Sequence, residues 1–220
     1  MSRSSPSSRL PVLFIAALFA GASFWPANHF GLPPLLMLTW KGAGVALLAL
    51  WAASVARERN GWLLAGVMVF GAAGDVLIDG VGLSAGATAF LAGHAIAILL
   101  YLSNRRKQGW VEAIGIAVAV PLIAFAISRN AGVTVYATGL GGMAGAAWLS
   151  RFPRRTVALG ALMFVLSDLL IFARLGLLAR SIIPTLLIWP LYFAGQALIA
   201  WGVVRTLEAR KRNEDLHHRL

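Results

Sequence analysis

The chain has 220 residues, of which 59% are hydrophobic and only 12% charged, with a mean hydropathy of +0.78 and no cysteine. A soluble domain carries about 25% charged residues, so this chain lacks the polar side chains to coat a water-facing surface and reads as a single integral membrane domain. The missing cysteines exclude a disulfide scaffold, a thiolate zinc site, a cysteine nucleophile and Cys-ligated clusters. A net charge of +11 would point a soluble protein toward nucleic acid, so the positions of the basic residues decide what that charge means.

Apolar runs long enough to cross about 30 Å of hydrocarbon extend over Leu10 to Trp25, Pro33 to Val55, Gly61 to Gly80, Gly86 to Leu102, Trp110 to Ile127, Val133 to Leu149, Thr156 to Ala173 and Ser181 to Val204. None alternates with the period of two expected of a membrane barrel. Backbone in lipid must satisfy its hydrogen bonds within its own segment, so the spans are helices. Short connections then force an up-down bundle, an all-α polytopic domain over 10–204. The Ser/Pro/Arg leader 1–9 and the basic tail 205–220 lie outside it and are the two segments open to disorder.

Arg3, Arg9, Arg57, Arg59, Arg105, Arg106, Lys107, Arg151, Arg154, Arg155, Arg205, Arg210, Lys211, Arg212 and Arg219 fall in the tails and even-numbered loops. Only Arg129, Arg174 and Arg180 fall in the odd-numbered ones. The positive-inside rule places both termini in the cytoplasm. The basic charge is therefore topological, and no nucleic-acid partner is expected. Arg3, Arg9, the following apolar stretch and Ala20-Gly21-Ala22 also fit a cleavable signal, which would leave seven spans in the same orientation.

Two pairs of segments repeat. Gly74-Asp75-Val76-Leu77-Ile78 of the third span parallels Ser167-Asp168-Leu169-Leu170-Ile171 of the seventh, and Phe90 to Ile96 of the fourth parallels Tyr192 to Leu198 of the eighth. The expectation is a parallel four-plus-four repeat about an axis along the membrane normal, with Asp75 facing Asp168 across it. Coincidence among Ala/Leu/Gly-rich helices is the competing reading.

An ionisable side chain in mid-membrane costs at least about 2.5 kcal/mol, so each is a functional candidate. They are Lys41, Asp75, Asp79, His94 and Asp168. At 1.5 Å per residue, Asp75 and Asp168 lie roughly 8 Å, Lys41 and His94 roughly 12 Å and Tyr192 roughly 16 Å from the outer helix ends. That common layer predicts one polar pocket in the outer half of the bundle. Asp75 and Asp79, four residues apart, share a helix face, and Lys41 is expected to pair with an aspartate. No H-E-x-x-H, G-x-S-x-G or P-loop pattern occurs, and four histidines, two of them the tail pair His217-His218, do not make a metal site.

Gly74-Asp75, the stretch Phe90 to His94, Ser167-Asp168 and Tyr192 to Gln196, in this order on eight short-looped spans, resemble the YhhN-like family of membrane proteins, the lysoplasmalogenases. Lys41 resembles that family's second-span lysine, although Gly42 stands where a proline is usual. Ala97 stands where a tyrosine usually follows the fourth-span histidine, and Asp79 where an apolar residue is expected.

The resemblance implies cofactor-free hydrolysis of the vinyl-ether bond of a lysoplasmalogen to a fatty aldehyde and a glycerophospho-alcohol, in a bacterial inner membrane. Protonation of the outer alkene carbon gives an oxocarbenium ion, water adds, and the hemiacetal collapses. One carboxyl must hold a proton while another accepts one from water, a division of labour glycosidases use around a similar cation. Asp75 and Asp168 are the expected acid/base pair. Lys41 is expected to hold one of them ionised, with His94, Tyr192, Gln196 and Asp79 as orienting or binding residues. Arg174 and Arg180 are placed to meet a lipid phosphate, or are ordinary interfacial arginines. The partners expected are a lysophospholipid substrate and membrane lipid. A small transporter or proton-coupled lipid carrier is the alternative, and a non-catalytic lipid-binding or assembly protein a third.

Overall fold

The structure, a computed structural model, describes residues 11–217. The leader 1–9 lies outside the described residues. Eight α-helices follow one another: α1 (Val12–Ala27), α2 (Pro34–Val55), α3 (Arg59–Gly80), α4 (Leu83–Ser103), α5 (Trp110–Ser128), α6 (Ala131–Leu149), α7 (Leu159–Arg174) and α8 (Ile183–His217). A π-helical turn, Arg154–Ala158, leads directly into α7. Among the described residues six helices are long and apolar enough to cross a membrane. The two other spans expected from the sequence are α1, only 16 residues long, and α6, whose glycines and threonines lower its hydropathy. The chain is a multi-pass membrane protein of the helical-bundle class.

The lipid-facing surface is apolar: Phe19, Trp62, Val111, Leu122 and Val135 are all exposed. Between helices in lipid there is no hydrophobic driving force, so small residues that allow close approach take over. Gly141 and Gly145 of α6 lie against the Ala117 and Ala113 carbonyls of α5, Gly86 of α4 against the Gly74 carbonyl of α3, and Gly160 of α7 against Gly195 of α8. Gly82, at φ +135°, turns the chain between α3 and α4 in a backbone region that side-chain-bearing residues avoid. That tight turn folds the two helices into a closely packed hairpin.

Helix α1 is tied into the bundle. The Trp189 indole of α8 donates to the Gly21 carbonyl at 2.7 Å, and Phe14 packs on Trp51 and Trp201 with ring centroids 4.6 and 4.9 Å apart.

The even-numbered connections meet at one end. Arg106 N–H donates to the Leu149 carbonyl at 2.9 Å and Arg151 N–H to the Asn104 carbonyl at 2.7 Å, joining the α4–α5 and α6–α7 loops. The tail from Arg205, open to disorder by composition, continues α8 as helix to His217. Its Glu, Arg, Leu and Ala residues favour helix, and Arg210 anchors it by a 2.8 Å bond from Nη1 to Asn104 Oδ1. At 1.5 Å per residue, the 35 residues of α8 extend about 52 Å, well past the hydrocarbon.

The two halves share a layout in part. The α3–α4 and α7–α8 hairpins are both closely packed, and α4 lies on α6 as α8 lies on α2. However, α2 runs along α3 while α6 meets α7 only sparsely. Each of these two hairpins carries one of the intramembrane aspartates, Asp75 on α3 and Asp168 on α7.

Candidate active site

The common polar layer separates into three groups. Lys41 of α2 donates from Nζ to Asp79 Oδ2 at 2.8 Å, with the lysine side chain 16% and the aspartate 50% exposed. Lys41 therefore does not hold Asp75 or Asp168 ionised through a direct bond. Of the two carboxylates on that face of α3, the one nearer the helix end takes the amine. A long flexible stem reaches toward the interface, where the charge keeps some hydration. Asp79 and Lys41 form an ion pair at the rim of the bundle.

The second group is deep. Asp75 is 2% exposed, and its Oδ2 accepts a 2.8 Å hydrogen bond from the Tyr192 hydroxyl of α8. Gly71, one turn from Asp75, lets α8 come close: its carbonyl lies 3.4 Å from the Tyr192 hydroxyl, and a Cβ there would stand 2.9 Å from Gln196 Nε2. Phe90, Phe164 and Tyr192 pack edge to face around this pair, with centroids 5.1 to 5.8 Å apart. Tyr192 and Gln196 therefore serve Asp75 and the α3–α8 contact.

The third group was not anticipated in full. Asp168 of α7 accepts a 2.6 Å bond at Oδ2 from the Tyr136 hydroxyl of α6, and His94 Nε2 of α4 lies 3.2 Å from the same hydroxyl. The result is a relay from His94 through Tyr136 to Asp168. With the Tyr136 proton given to the carboxylate, His94 Nε2–H is the group left to donate to the Tyr136 oxygen. Ala97 deprives α4 of the tyrosine hydroxyl expected near His94, yet a tyrosine hydroxyl reaches this histidine from α6. Its position is set by the start of α6, where the Asn130 side chain accepts from Val133 N–H at 3.0 Å and caps the helix.

Asp168 and Tyr136 line a cleft of about 450 Å³ between the outer ends of α3, α4, α6 and α7, at the end opposite the basic loops. Ile78, Leu83, Ala87, Leu91, Val133, Ile171 and Phe172 make it predominantly apolar. A cavity of this size with few polar groups is typical of a small-molecule or lipid-chain site. Asp75 is not among its walls, whereas Phe90 lines the cleft on one side and packs on Tyr192 on the other. Arg174 and Arg180 are both exposed on or beside the α7–α8 connection, and neither lines the cleft.

A family model described as the YhhN family matches residues 36–203. The chain belongs to the YhhN family. No curated protein and no solved structure matches it. The matched stretch runs from the first turn of α2 almost to the point where α8 becomes basic. It takes in all three polar groups and the whole cleft and leaves α1 outside. Within this YhhN-family chain, Tyr136 is the site residue that the sequence did not single out. Its signal was the rarity of tyrosine: of three in the chain, two bond to the intramembrane aspartates.

Proposed function

We propose that this YhhN-family protein hydrolyses the vinyl-ether bond of lysoplasmalogen-type lysophospholipids to a fatty aldehyde and a glycerophospho-alcohol, in the inner membrane of a bacterium and without a cofactor. The observation that carries the reading is the apolar cleft with one tyrosine-held carboxyl, Asp168, in its wall and a second, Asp75, buried in the adjoining helix layer. An aliphatic chain fits such a cleft by burial of its methylenes, worth about 0.8 kcal/mol each. Its vinyl-ether end then lies against the only acid of the wall.

Asp168 is the substrate-facing member of the pair. In the protonated state it gives its proton to the outer alkene carbon. The alkene electrons form the new C–H bond and leave an oxocarbenium ion on the inner carbon and ether oxygen. Water adds to that carbon while a carboxylate takes one of its protons. The hemiacetal then collapses: that proton passes to the leaving glycerol oxygen, the C–O bond to it breaks, and the hemiacetal hydroxyl gives its own proton to Asp168 as its C=O forms, which restores both carboxyls. The sum is one alkenyl ether plus one water giving one aldehyde plus one alcohol. Tyr136 holds the carboxyl in place, and His94 fixes Tyr136. Asp75, bonded to Tyr192 on the far side of Phe90 from the cleft, is the second acid/base group of this reading.

The test is aldehyde release by the purified protein from a vinyl-ether lysolipid, with the saturated ether as the blank. Asp168→Asn and Asp75→Asn are each expected to fold and to lose turnover, general acid/base groups typically contributing about 10²- to 10⁴-fold. Full hydrolysis by both single variants would remove the catalytic assignment. Uptake of the lipid into proteoliposomes without aldehyde would replace the hydrolase with a carrier.

A further inference from the structure

At the basic end, the α4–α5 loop, the α6–α7 loop and the extension of α8 line a second, open pocket of about 670 Å³. Its wall carries Arg105, Arg106, Lys107, Arg151 and Arg210 and no carboxylate. Among the described residues none of these five is in an ion pair. The neighbouring cavity, between the start of α3 and α8, shares Arg210 with it and sets that arginine, Arg57 and Lys211 beside Glu58, Glu208, Glu214 and Asp215. Arg105, Arg106, Lys107 and Arg151 line no cavity with an acid in its wall.

The frame is built rather than incidental. Asn104, buried at the end of α4, donates from Nδ2 to the Leu100 carbonyl at 2.9 Å and to Asn60 Oδ1 at 3.1 Å. Its Oδ1 accepts from Arg210, whose guanidinium stands 5.5 Å over the Phe152 ring. Arg106 Nη2 donates to the Phe152 carbonyl at 3.4 Å. A guanidinium has five N–H donors, so each of these arginines keeps most of its donors for a ligand. Trp110, at the first residue of α5, forms part of the wall. A tryptophan at a helix start between two spans marks the headgroup level of a membrane.

We propose that this cavity binds the phosphate of an anionic phospholipid from the leaflet at the basic end. Arginine forks match phosphate oxygens two at a time, and basic pockets between transmembrane helices at such interfaces take anionic headgroups. A zwitterionic headgroup brings its own ammonium into a cavity that offers it no carboxylate, and is rejected. This site lies at the opposite end of the bundle from the Asp168 cleft and does not depend on the hydrolase reading.

The experiment is thermal unfolding of the purified full chain in neutral detergent with added phosphatidylglycerol, phosphatidylcholine or sodium phosphate. Phosphatidylglycerol is expected to raise the midpoint with saturation, and phosphatidylcholine is not. Arg106→Gln/Arg151→Gln is expected to weaken the apparent affinity by about tenfold or more, the worth of roughly one charge-assisted hydrogen bond. The control Arg57→Gln/Arg155→Gln, which removes equal charge outside this cavity, leaves it unchanged. The milder Lys107→Gln, which spares every hydrogen bond of the frame, is expected to weaken binding by a smaller factor and serves if the double variant does not fold. Sodium phosphate reproducing a shift that the cavity variants abolish keeps the anion site and names soluble phosphate as its source. Equal shifts from both lipids, or equal weakening in control and cavity variants, would overturn the proposal.

Discussion

Tyr136→Phe separates the two carboxyls experimentally. The substitution removes one oxygen and leaves the ring, whose edge contacts to His94 and Phe172 have centroids 5.6 and 6.0 Å apart. The deleted oxygen donates to Asp168 at 2.6 Å and faces His94 Nε2 at 3.2 Å. A hydrogen bond to a charged group contributes about 1.5–3 kcal/mol. If that contribution is expressed at the transition state, it is a loss of about 10- to 150-fold in kcat/KM. The assay is aldehyde release from a vinyl-ether lysolipid in mixed micelles, with the thermal midpoint measured on the same samples to show that the bundle survives. Tyr192→Phe, which frees Asp75 in the same way, is the comparison. Because Asp75 does not line the cleft, its effect is expected in kcat rather than KM. Unchanged kcat/KM in Tyr136→Phe, together with a large loss in Tyr192→Phe, would refute the assignment of Asp168 as the substrate-facing acid.

Three further outcomes follow from the geometry. A Cβ at Gly86 would stand 2.9 Å from both the Gly74 carbonyl and the Ile78 nitrogen, so Gly86→Ala is expected to cost about 1–3 kcal/mol as overpacking against backbone. Gly115→Ala, with nothing within 4 Å, is expected to cost nothing, and thermal midpoints in detergent compare them. Asp79→Asn breaks an ion pair whose acid is half exposed; solvent screening limits its worth to about 0–1 kcal/mol, so turnover is expected to fall by less than about fivefold. A loss on the scale of Asp168→Asn would put Asp79 in the chemistry. Ala87→Trp fills part of the cleft wall and is expected to raise KM most for the longest alkenyl chains, by about fourfold per methylene excluded; equal KM across a chain-length series would detach the cleft from the lipid tail.

The spans were legible because a scarcity of charge is itself a pattern: each of the eight apolar runs, broken by two charged residues at most, corresponds to a helix, and the basic loops between them meet at one end. The helical state of residues 205–217 was not legible because composition alone does not show that a charged segment continues a helix already nucleated in the bundle, where extension costs little compared with starting anew. At the site, the carboxyls stood out because each is expensive in lipid. Their partners did not. Lys41 had two carboxylates on one face of α3 within its reach, and periodicity alone does not say which of Asp75 and Asp79 lies nearer the water. Tyr136 had no penalty to mark it, since a tyrosine is apolar enough to pass as packing.

The intramembrane aspartates, alike in their sequence surroundings, have different surroundings in space. Each needs one hydroxyl donor to be tolerated in the bundle, and any neighbouring helix can supply it. For Asp75 the donor comes from α8, and for Asp168 from α6, which with α7, α3 and α4 lines the outer cleft. The looser packing of α6 on α7, compared with α2 on α3, accompanies this difference: both carboxyls are buried, but Asp168 stands in the wall of the cleft and Asp75 does not. A substitution that drew α6 onto α7 would close the cleft while leaving both tyrosine bonds intact.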